Sequence, residues 1–516
     1  MSRPCRFARC AALAVGWLVF LPPGHSAAAP LEELASQDML PEVQRLNELA
    51  AARLSVDFRQ HGVVPSAQWI KRRFPTQRDP AGHFRMQISP GNALLTPAVA
   101  AGRVFVGNGF TGSEFHCIQI PSGRTLWSVA LSDPGPSTPS LSPGCLLINT
   151  ESCSMYALDP ASGRIEWAAW LGDPMLAAPA MVGQCAVTCY PLALGKLPGG
   201  PRLTHALACV DLKSGRLVWR RFIDGELISA PVVDGEHVYV ATRAGSLFCI
   251  RGRDGAIRLA RRCRITSAPV LVEGDPSFTR RADSQVDDVP KECIARIEHS
   301  TGKRRYAAEA CDAPYLLPPG TPQQHRYSPG SDDREASGPR ELPAVAHGAA
   351  PAAVRPTPES GPTGRLAGAA QQEYSGARLL HHAGKLYNCM GRKLRCVDAA
   401  TGELTWDLDL PDAPRDQPPG APPVVAGGVL FVATYSGLLL SLDPDDGTTL
   451  ASYQVGAPVV SQPVVWNGYV LLGTRNGQLV GINTGRKELT GWSQWGGTPL
   501  RNGAPAPQPQ ERGRGS

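Results

Sequence analysis

The fold is decided by a segment near the middle of the chain. It reads Ser229-Ala230-Pro231-Val232-Val233-Asp234-Gly235-Glu236-His237-Val238-Tyr239-Val240-Ala241-Thr242-Arg243-Ala244-Gly245-Ser246-Leu247-Phe248-Cys249-Ile250. A proline opens a short apolar strand, Asp-Gly provides a tight hairpin turn, and a strand of alternating β-branched and aromatic residues follows. Ala-Gly then provides the next turn. The pattern predicts a meander of antiparallel strands.

A second motif follows each meander and repeats along the chain. It is a turn of a small or polar residue and glycine, with a large residue four positions after the glycine. Its eight copies, of which the last two are weaker, are Gly123/Trp127, Gly163/Trp167, Gly215/Trp219, Gly255/Leu259, Gly302/Tyr306, Gly402/Trp406, Gly447/Ala451 and Gly485/Leu489. The glycines lie 38 to 52 residues apart, except for one interval of 100. A period near 40 residues is typical of β-propeller blades.

The long interval contains an insert. Residues 318–372 include 10 Pro and 7 Gly but a single aromatic residue, Tyr327. Such a composition cannot bury enough apolar surface to offset the entropy of ordering the chain, so we expect this insert to be disordered. Without it the interval shrinks to one ordinary repeat.

The predicted fold class is therefore all-β: an eight-bladed β-propeller of four-stranded antiparallel blades that spans residues 84–492. The segment Phe84–Ile88 precedes the first full repeat and is placed to complete the last blade. Residues 30–83 are predicted to form a short helical N-terminal extension, because apolar residues between Leu31 and His61 recur at mostly helical intervals. Residues 493–516 form a C-terminal tail that we expect to be largely disordered.

Residues 1–29 have the layout of a secretory signal peptide. Arg3, Arg6 and Arg9 precede the apolar run 11–21, and small residues follow it up to Ala29. The apolar run is too short to cross a bilayer, so the sequence predicts no membrane span. We expect cleavage near Ala29 and a periplasmic or extracellular location.

Charge and cysteine content exclude further classes. The chain carries a net charge of +6, part of which belongs to the signal peptide. We therefore do not expect electrostatic binding to nucleic acid or to an anionic membrane. Twelve of the 14 cysteines lie beyond the signal peptide, and their even number permits disulfides. No two close pairs of Cys or His show zinc-ligand spacing, so the sequence predicts no metal site.

Two short patterns associated with enzymes are also accounted for. Gly107–Gly112 matches Gly-x-Gly-x-x-Gly, but the alternating run Glu114–Ile120 follows where a dinucleotide-binding motif needs a helix. A Gly-x-Ser-x-Gly nucleophile motif is absent from the sequence. The first pattern therefore predicts a hairpin turn.

The repeats resemble the quinoprotein-type, or PQQ-like, β-propeller repeat, most closely at 214–219, 229–250, 400–406 and 422–443. That resemblance implies one of two classes. One comprises dehydrogenases that hold pyrroloquinoline quinone (PQQ) and calcium on the propeller axis. The other comprises exported, non-catalytic BamB-like propellers that serve as protein-docking platforms.

The residues favour the second class. The quinone-dependent alcohol dehydrogenases typically carry adjacent cysteines beside the cofactor, and this sequence has no Cys-Cys pair. Regular spacing marks Trp127, Trp167, Trp219 and Trp406 as packing anchors between blades. We therefore predict a monomeric, non-enzymatic scaffold for another envelope protein or peptide, with contacts on loops 189–204 and 274–290. No catalytic or cofactor-binding residue is assigned. The alternative is a PQQ-dependent alcohol or sugar oxidoreductase with calcium.

Overall fold

The computed structural model describes most of the chain from Gln37 to Thr498. The described residues are 37–51, 65–109, 111–150, 154–171, 177–192, 203–282, 289–314, 316, 379–411, 413–414, 419–459, 461–489, 491–493 and 496–498. The predicted signal peptide and insert lie outside them, as does the predicted tail beyond Thr498.

Five elements precede the first complete blade. They are β1 (Gln37–Asp38), α1 (Leu40–Ala51), β2 (Ala67–Trp69), β3 (Thr76–Arg78) and β4 (Phe84–Gln87).

The rest of the described chain forms eight antiparallel sheets, which confirms the eight-bladed propeller. The strands of blades 1 to 4 are β5 (Ala98–Ala100), β6 (Arg103–Gly107), β7 (Glu114–Gln119) and β8 (Arg124–Leu131); β9 (Ser140–Ser142), β10 (Cys145–Asn149), β11 (Ser154–Leu158) and β12 (Ile165–Trp170); β13 (Ala180–Val182), β14 (Cys185–Pro191), β15 (His205–Asp211) and β16 (Leu217–Ile223); and β17 (Val232–Asp234), β18 (His237–Ala241), β19 (Ser246–Arg251) and β20 (Ile257–Arg262).

Blades 5 to 8 follow the same order. Their strands are β21 (Val270–Val272), β22 (Asp275–Arg281), β23 (Lys291–Ile297), β24 (Arg304–Ala307) and β25 (Cys311–Asp312); β26 (Leu380–His382), β27 (Lys385–Met390), β28 (Lys393–Asp398) and β29 (Leu404–Asp409); β30 (Val424–Ala426), β31 (Val429–Ala433), β32 (Leu438–Leu442) and β33 (Thr449–Gln454); and β34 (Val464–Trp466), β35 (Tyr469–Gly473) and β36 (Gln478–Asn483), with β37 (Gly491–Trp492) at the end.

The position of a strand within its blade determines its burial. The first strands contact one another between blades 3 and 4, 5 and 6, 7 and 8, and 8 and 1. The second and third strands are buried on both faces, as in β19, where Ser246–Ile250 are all buried. Each sheet is therefore covered by the sheets on either side, and the apolar core lies between blades. Gly107 and Glu114 end β6 and begin β7, so the Gly-x-Gly-x-x-Gly pattern is a hairpin connection, as predicted.

Strand β4, which precedes the first complete blade, closes the ring. β4 pairs antiparallel with β36, with Met86 opposite Leu479 and Phe84 opposite Gly481. Blade 8 therefore combines three strands from the end of the propeller with one from its beginning, which confirms the predicted closure. The C-terminal β37 pairs with the inner strand β30 of blade 7.

The N-terminal extension lies on the outside of the ring. Helix α1 packs against the outer strands of blades 3 and 4, and the Asn47 side chain bonds both the N–H and the C=O of Phe222. The predicted short helix is present as α1, and the part of residues 30–83 that follows it contains the strands β2 and β3 instead of further helix. β1, β2 and β3 extend blades 4, 1 and 8 as additional antiparallel strands. Exposed sheet edges readily recruit such strands.

Tryptophan–turn contacts join most of the blades. The indole N–H of Trp127 in blade 1 donates to the Pro160 carbonyl in the turn of blade 2, at 3.1 Å. The ring of Trp127 lies over Gly163 of that turn, where an added Cβ would approach Trp127 Cδ2 to 2.6 Å. Gly163 also has a φ of +72°, a conformation that L side chains rarely adopt. Glycine therefore provides both the turn and the room for the indole.

Equivalent contacts recur at four other boundaries. They join Trp167 to Leu212, Trp219 to Gly252, Tyr306 to Ala399 and Trp406 to Pro444 through hydrogen bonds of 2.7, 2.6, 3.1 and 3.2 Å. The remaining three repeats have no aromatic residue at this position, and in blade 8 the residue is Leu489. Leu259 occupies it between blades 4 and 5, and Ala451 between blades 7 and 8. At the latter boundary an added Cβ on Gly485 would meet no atom within 4 Å.

The contact predicts the effect of one methyl group. Gly163→Ala combines an unfavourable φ with a collision against Trp127, and we expect it to lower the free energy of unfolding by several kcal/mol. The matched control is Gly144→Ala in the same blade, where φ is +82° but no atom lies within 4 Å of the added Cβ. It should lose only about 1–2 kcal/mol. Urea unfolding of the two variants measures the difference, and equal losses would show that the indole contributes nothing.

A buried histidine makes stability dependent on pH. His116 in β7 is fully buried, its Nδ1 lies 2.9 Å from Ser128 Oγ, and burial lowers its pKa to about 4. Between pH 6.5 and 4 the unfolded chain therefore binds a proton that the folded chain does not. Stability falls as the pH falls through this window.

We expect His116 to cost the folded state about 2 kcal/mol on going from pH 7 to pH 5. His116→Gln keeps a polar group beside Ser128 but cannot titrate. Urea unfolding at both pH values should show a smaller loss for this variant than for the wild type. Identical losses would contradict the assignment.

Candidate functional site

The ring has two faces that carry different connections. The turn face carries the glycine turns and the hairpins between first and second strands. The loop face carries the hairpins between second and third strands and the links between blades. Both predicted contact loops connect second to third strands, so they belong to the loop face. Their centres, residues 193–202 and 283–288, lie outside the described residues, and Asp275–Arg281 in the second is a strand.

The predicted motif residues are distributed around the ring. Gly123, Gly163, Gly215, Gly255, Gly302, Gly402, Gly447 and Gly485 each occupy a turn with positive φ in a different blade. Trp127, Trp167, Trp219 and Trp406 each contact the following blade. The structure therefore does not bring the tryptophans together as a cofactor-stacking set, and their role is in packing.

Two acidic groups on the loop face, Asp224 and Asp133, are held at separate places in the ring. Asp224 accepts hydrogen bonds from Thr242 Oγ1 at 2.9 Å and Ser246 Oγ at 2.6 Å. Asp133 is bonded in the same way by Thr150 and Ser154 of blade 2. Each carboxylate satisfies hydroxyl groups near its own blade boundary, so these acids do not converge on one point.

The acidic side chains of the described residues do not gather into a set of oxygen ligands for Ca²⁺. Ca²⁺ requires six to eight oxygen ligands. In the described part of the chain, the only group of three His, Cys, Asp or Glu whose ligand atoms lie within 4.8 Å of one another is His237, Cys249 and His299. This group offers nitrogen and sulfur, which suit a softer ion.

The thiols are not set up as nucleophiles. The 11 described cysteines are all free, and most are buried. Burial raises the pKa of Cys117, Cys249 and Cys263 to about 12, so these thiols stay protonated at neutral pH.

The outer edges of the blades differ in how they are covered. Additional strands cover blades 1, 4 and 8, and α1 covers blade 3. Among the described strands, none pairs with the outer side of β12, β24, β29 or β33. Three of these four strands carry charged residues: Glu166 in β12, Arg304 and Arg305 in β24, and Asp407 and Asp409 in β29. Charges on an edge strand oppose pairing with another chain.

The fourth strand, Thr449–Gln454, has no charged residue, and we call it the blade 7 edge. Its Leu450 side chain is 54% exposed. Arg85 of blade 8 donates to the Gln454 carbonyl, which fixes the C-terminal end of the strand. Ala451 replaces the usual tryptophan, and the space above Gly485 in the next blade is open. The blade 7 edge is therefore an uncharged strand beside a gap between blades.

The contact loops 189–204 and 274–290 stay a prediction, and the sequence analysis did not single out the blade 7 edge. The available signal was the weak seventh repeat, in which Ala451 stands where other repeats have a large residue. The run Thr-Leu-Ala-Ser-Tyr-Gln without a charge was a second signal.

The strand order and the ring closure define an eight-bladed β-propeller. The chain belongs to the family described as outer membrane protein assembly factor BamB, whose model matches residues 68–191, 203–310 and 391–510. Among curated proteins, none matches the sequence significantly.

Solved structures with a similar fold include BamB from Moraxella catarrhalis, with 14% identity and a TM-score of 0.50 over 81% of this chain and 97% of that one. The computationally designed Ika8 protein has 10% identity and a TM-score of 0.52 over 77% and 99%. The quinohemoprotein alcohol dehydrogenase from Comamonas testosteroni has 13% identity and a TM-score of 0.46 over 77% and 76%. The first two likenesses concern the fold alone.

Within the described residues, α1 is too short and too polar to cross a bilayer, and no other helix is a candidate.

Proposed function

We propose that this chain is an exported, non-catalytic scaffold of the cell envelope that binds an extended segment of another envelope protein along the blade 7 edge. The observation that carries the proposal is the ring's own use of its outer edges. Blades 1, 4 and 8 each receive one further antiparallel strand, supplied by the N-terminal segment. A partner would add a strand to blade 7 in the same geometry.

The chemistry of the blade 7 edge suits strand addition. An edge strand presents unpaired N–H and C=O groups, which provide affinity when an extended peptide pairs with them. Leu450 provides exposed apolar surface, and no charge on the strand has to be desolvated. The small Ala451 and the open space above Gly485 leave room for a side chain of the partner.

The rigidity of the scaffold supports binding. The third strand of blade 7, Leu438–Leu442, is largely buried, and the hydrogen bond from Trp406 to Pro444 joins blade 7 to blade 6. A strand held in this way loses little conformational entropy when a partner binds. The entropy cost of binding then falls mainly on the ordering of the partner.

The proposed location follows from two supports. The first 29 residues have the layout of an export signal, with cleavage near Ala29. The family name refers to assembly of outer-membrane proteins. We propose that the mature chain is a monomer in the envelope and that its partner takes part in that assembly.

Photo-cross-linking and outer-membrane protein assembly, measured in cells that produce the full chain, test the proposed binding at the blade 7 edge. A photo-reactive amino acid at position 450 should give one discrete adduct with an envelope protein. Ser452→Lys should lower the yield of this adduct about tenfold or more, because pairing would bury an unmatched ammonium group. It should also lower the amount of folded outer-membrane β-barrel protein.

The matched control is Leu404 of β29, which is 43% exposed on an edge where Lys393 and Asp407 form an ion pair of 3.0 Å. The photo-reactive amino acid at 404 should give no such adduct, and Leu404→Lys should leave assembly unchanged. The proposal is wrong if position 404 gives the same adduct, if the adduct at 450 is internal to the chain, or if Ser452→Lys changes nothing in a folded protein.

The enzymatic alternative has its own test. Titration of the mature protein with PQQ and calcium, followed by tryptophan fluorescence and dye-linked alcohol or sugar oxidation, should show neither saturable binding nor turnover. Saturable binding with turnover would replace the scaffold proposal with an oxidoreductase.

A further inference from the structure

Three soft-ligand side chains meet at the boundary between blades 4 and 5. His237 begins β18, Cys249 lies in β19, and His299 lies in the β23–β24 turn of the next blade. One ligand atom from each lies within 4.8 Å of the other two. The two imidazole rings have centroids 5.1 Å apart at an interplanar angle of 60°.

A comparison with the equivalent positions at the boundary between blades 6 and 7 shows which residues of this cluster are unusual. Tyr239 is paired with Cys249 in blade 4, and Tyr387 is paired with Cys396 in blade 6. Lys385 begins β27 where His237 begins β18. Cys249 thus belongs to a repeated pattern, and His237 departs from it.

The glycine turn of blade 5 also differs from the corresponding turn of blade 7. Tyr387 donates to the Pro444 carbonyl, three residues before Gly447, whereas the Tyr239 hydroxyl lies 2.8 Å from Nδ1 of His299, three residues before Gly302. The substitutions at this boundary therefore place two histidines around one cysteine.

His299 is held in place from two sides. Its backbone N–H donates to Asp275 Oδ1 at 2.8 Å, and its side chain bonds the Tyr239 hydroxyl. Asp275 is itself buried and paired with Arg296 at 3.3 Å and with Arg305. Such hydrogen bonds to a ligand residue orient its ring before an ion arrives.

We propose that His237, Cys249 and His299 form a binding site for Zn²⁺, with a fourth coordination position that water occupies. Imidazole nitrogen and thiolate sulfur are the usual ligands of Zn²⁺. Bond lengths of about 2.0–2.3 Å place tetrahedral ligand atoms roughly 3.5 Å apart, so small rotations of the two partly exposed imidazoles close the site. Cys249 binds as the thiolate, and its proton passes to solvent.

The site would join two blades that lack a tryptophan–turn contact. Leu259 occupies the tryptophan position of blade 4. A metal held by two residues of blade 4 and one of blade 5 would replace the missing contact. The ion would therefore stabilise the folded ring as well as bind to it.

The test uses the mature protein after treatment with a chelator. Competition with a chromophoric chelator should show one Zn²⁺ bound per chain, and Co²⁺ should give a thiolate charge-transfer band. His299→Ala and Cys249→Ser should each weaken Zn²⁺ binding about 100-fold or more and abolish that band. Cys396→Ser and His382→Ala, which alter the corresponding cysteine of blade 6 and a partly buried histidine of the same blade, should leave both readouts unchanged.

A second readout covers stability. A hundredfold excess of Zn²⁺ over its Kd should raise the melting temperature of the wild type by about 3 °C, and that of His299→Ala by less than 1 °C. Ca²⁺ at the same concentration should have no effect. The proposal is overturned if Zn²⁺ does not bind stoichiometrically, or if the folded Cys249→Ser and His299→Ala proteins bind it as tightly as the wild type.

Discussion

The structure depends on the hydrogen bond that one blade donates to the turn of the next. At five of the boundaries an indole or phenol group donates to a carbonyl three residues before a turn glycine, and at four of these the ring lies over that glycine. The bond satisfies a polar group inside an otherwise apolar interface, and its geometry fixes the distance between neighbouring sheets. Because only glycine leaves room for the ring at positive φ, the turn and the aromatic residue depend on each other. This dependence explains why the turn glycine and the aromatic residue recur together in the sequence.

Two of the boundaries without an aromatic residue carry the two proposals. Between blades 7 and 8, Ala451 leaves an open space beside an uncharged edge strand, which suits a peptide from a partner. Between blades 4 and 5, Leu259 coincides with a cluster of two histidines and a cysteine. A propeller held by many equivalent contacts tolerates the loss of one, because each blade is still covered on both faces. A boundary that lacks the aromatic residue can therefore carry a binding site without loss of the fold.

The sequence predicts the structural features that recur in every blade, and it does not predict those that occur in only some blades. The spacing of Gly163, Gly215 and the other turn glycines is sufficient for the number of blades, and Phe84 is placed to be part of the closing strand because it lies just before the first full repeat. The fifth strands of blades 1, 4 and 8 could not be predicted, since β1, β2 and β3 contain only two or three residues each. His299 and His237 are distant in sequence, and only the pairing of neighbouring blades brings them together. The expectation that metal ligands occur as close sequence pairs overlooked this arrangement.

Exchange of the tryptophan indole N–H groups, followed by NMR of the mature protein labelled with ¹⁵N-tryptophan, tests the central claim most directly. The tryptophan–turn contacts predict that the indole signals of Trp127, Trp167, Trp219 and Trp406 persist long after transfer to D₂O, since each donates to a backbone carbonyl inside the ring. The signal of Trp69, which is 61% exposed on β2, should disappear first. Exchange of the four indoles as rapid as that of Trp69 would contradict the account.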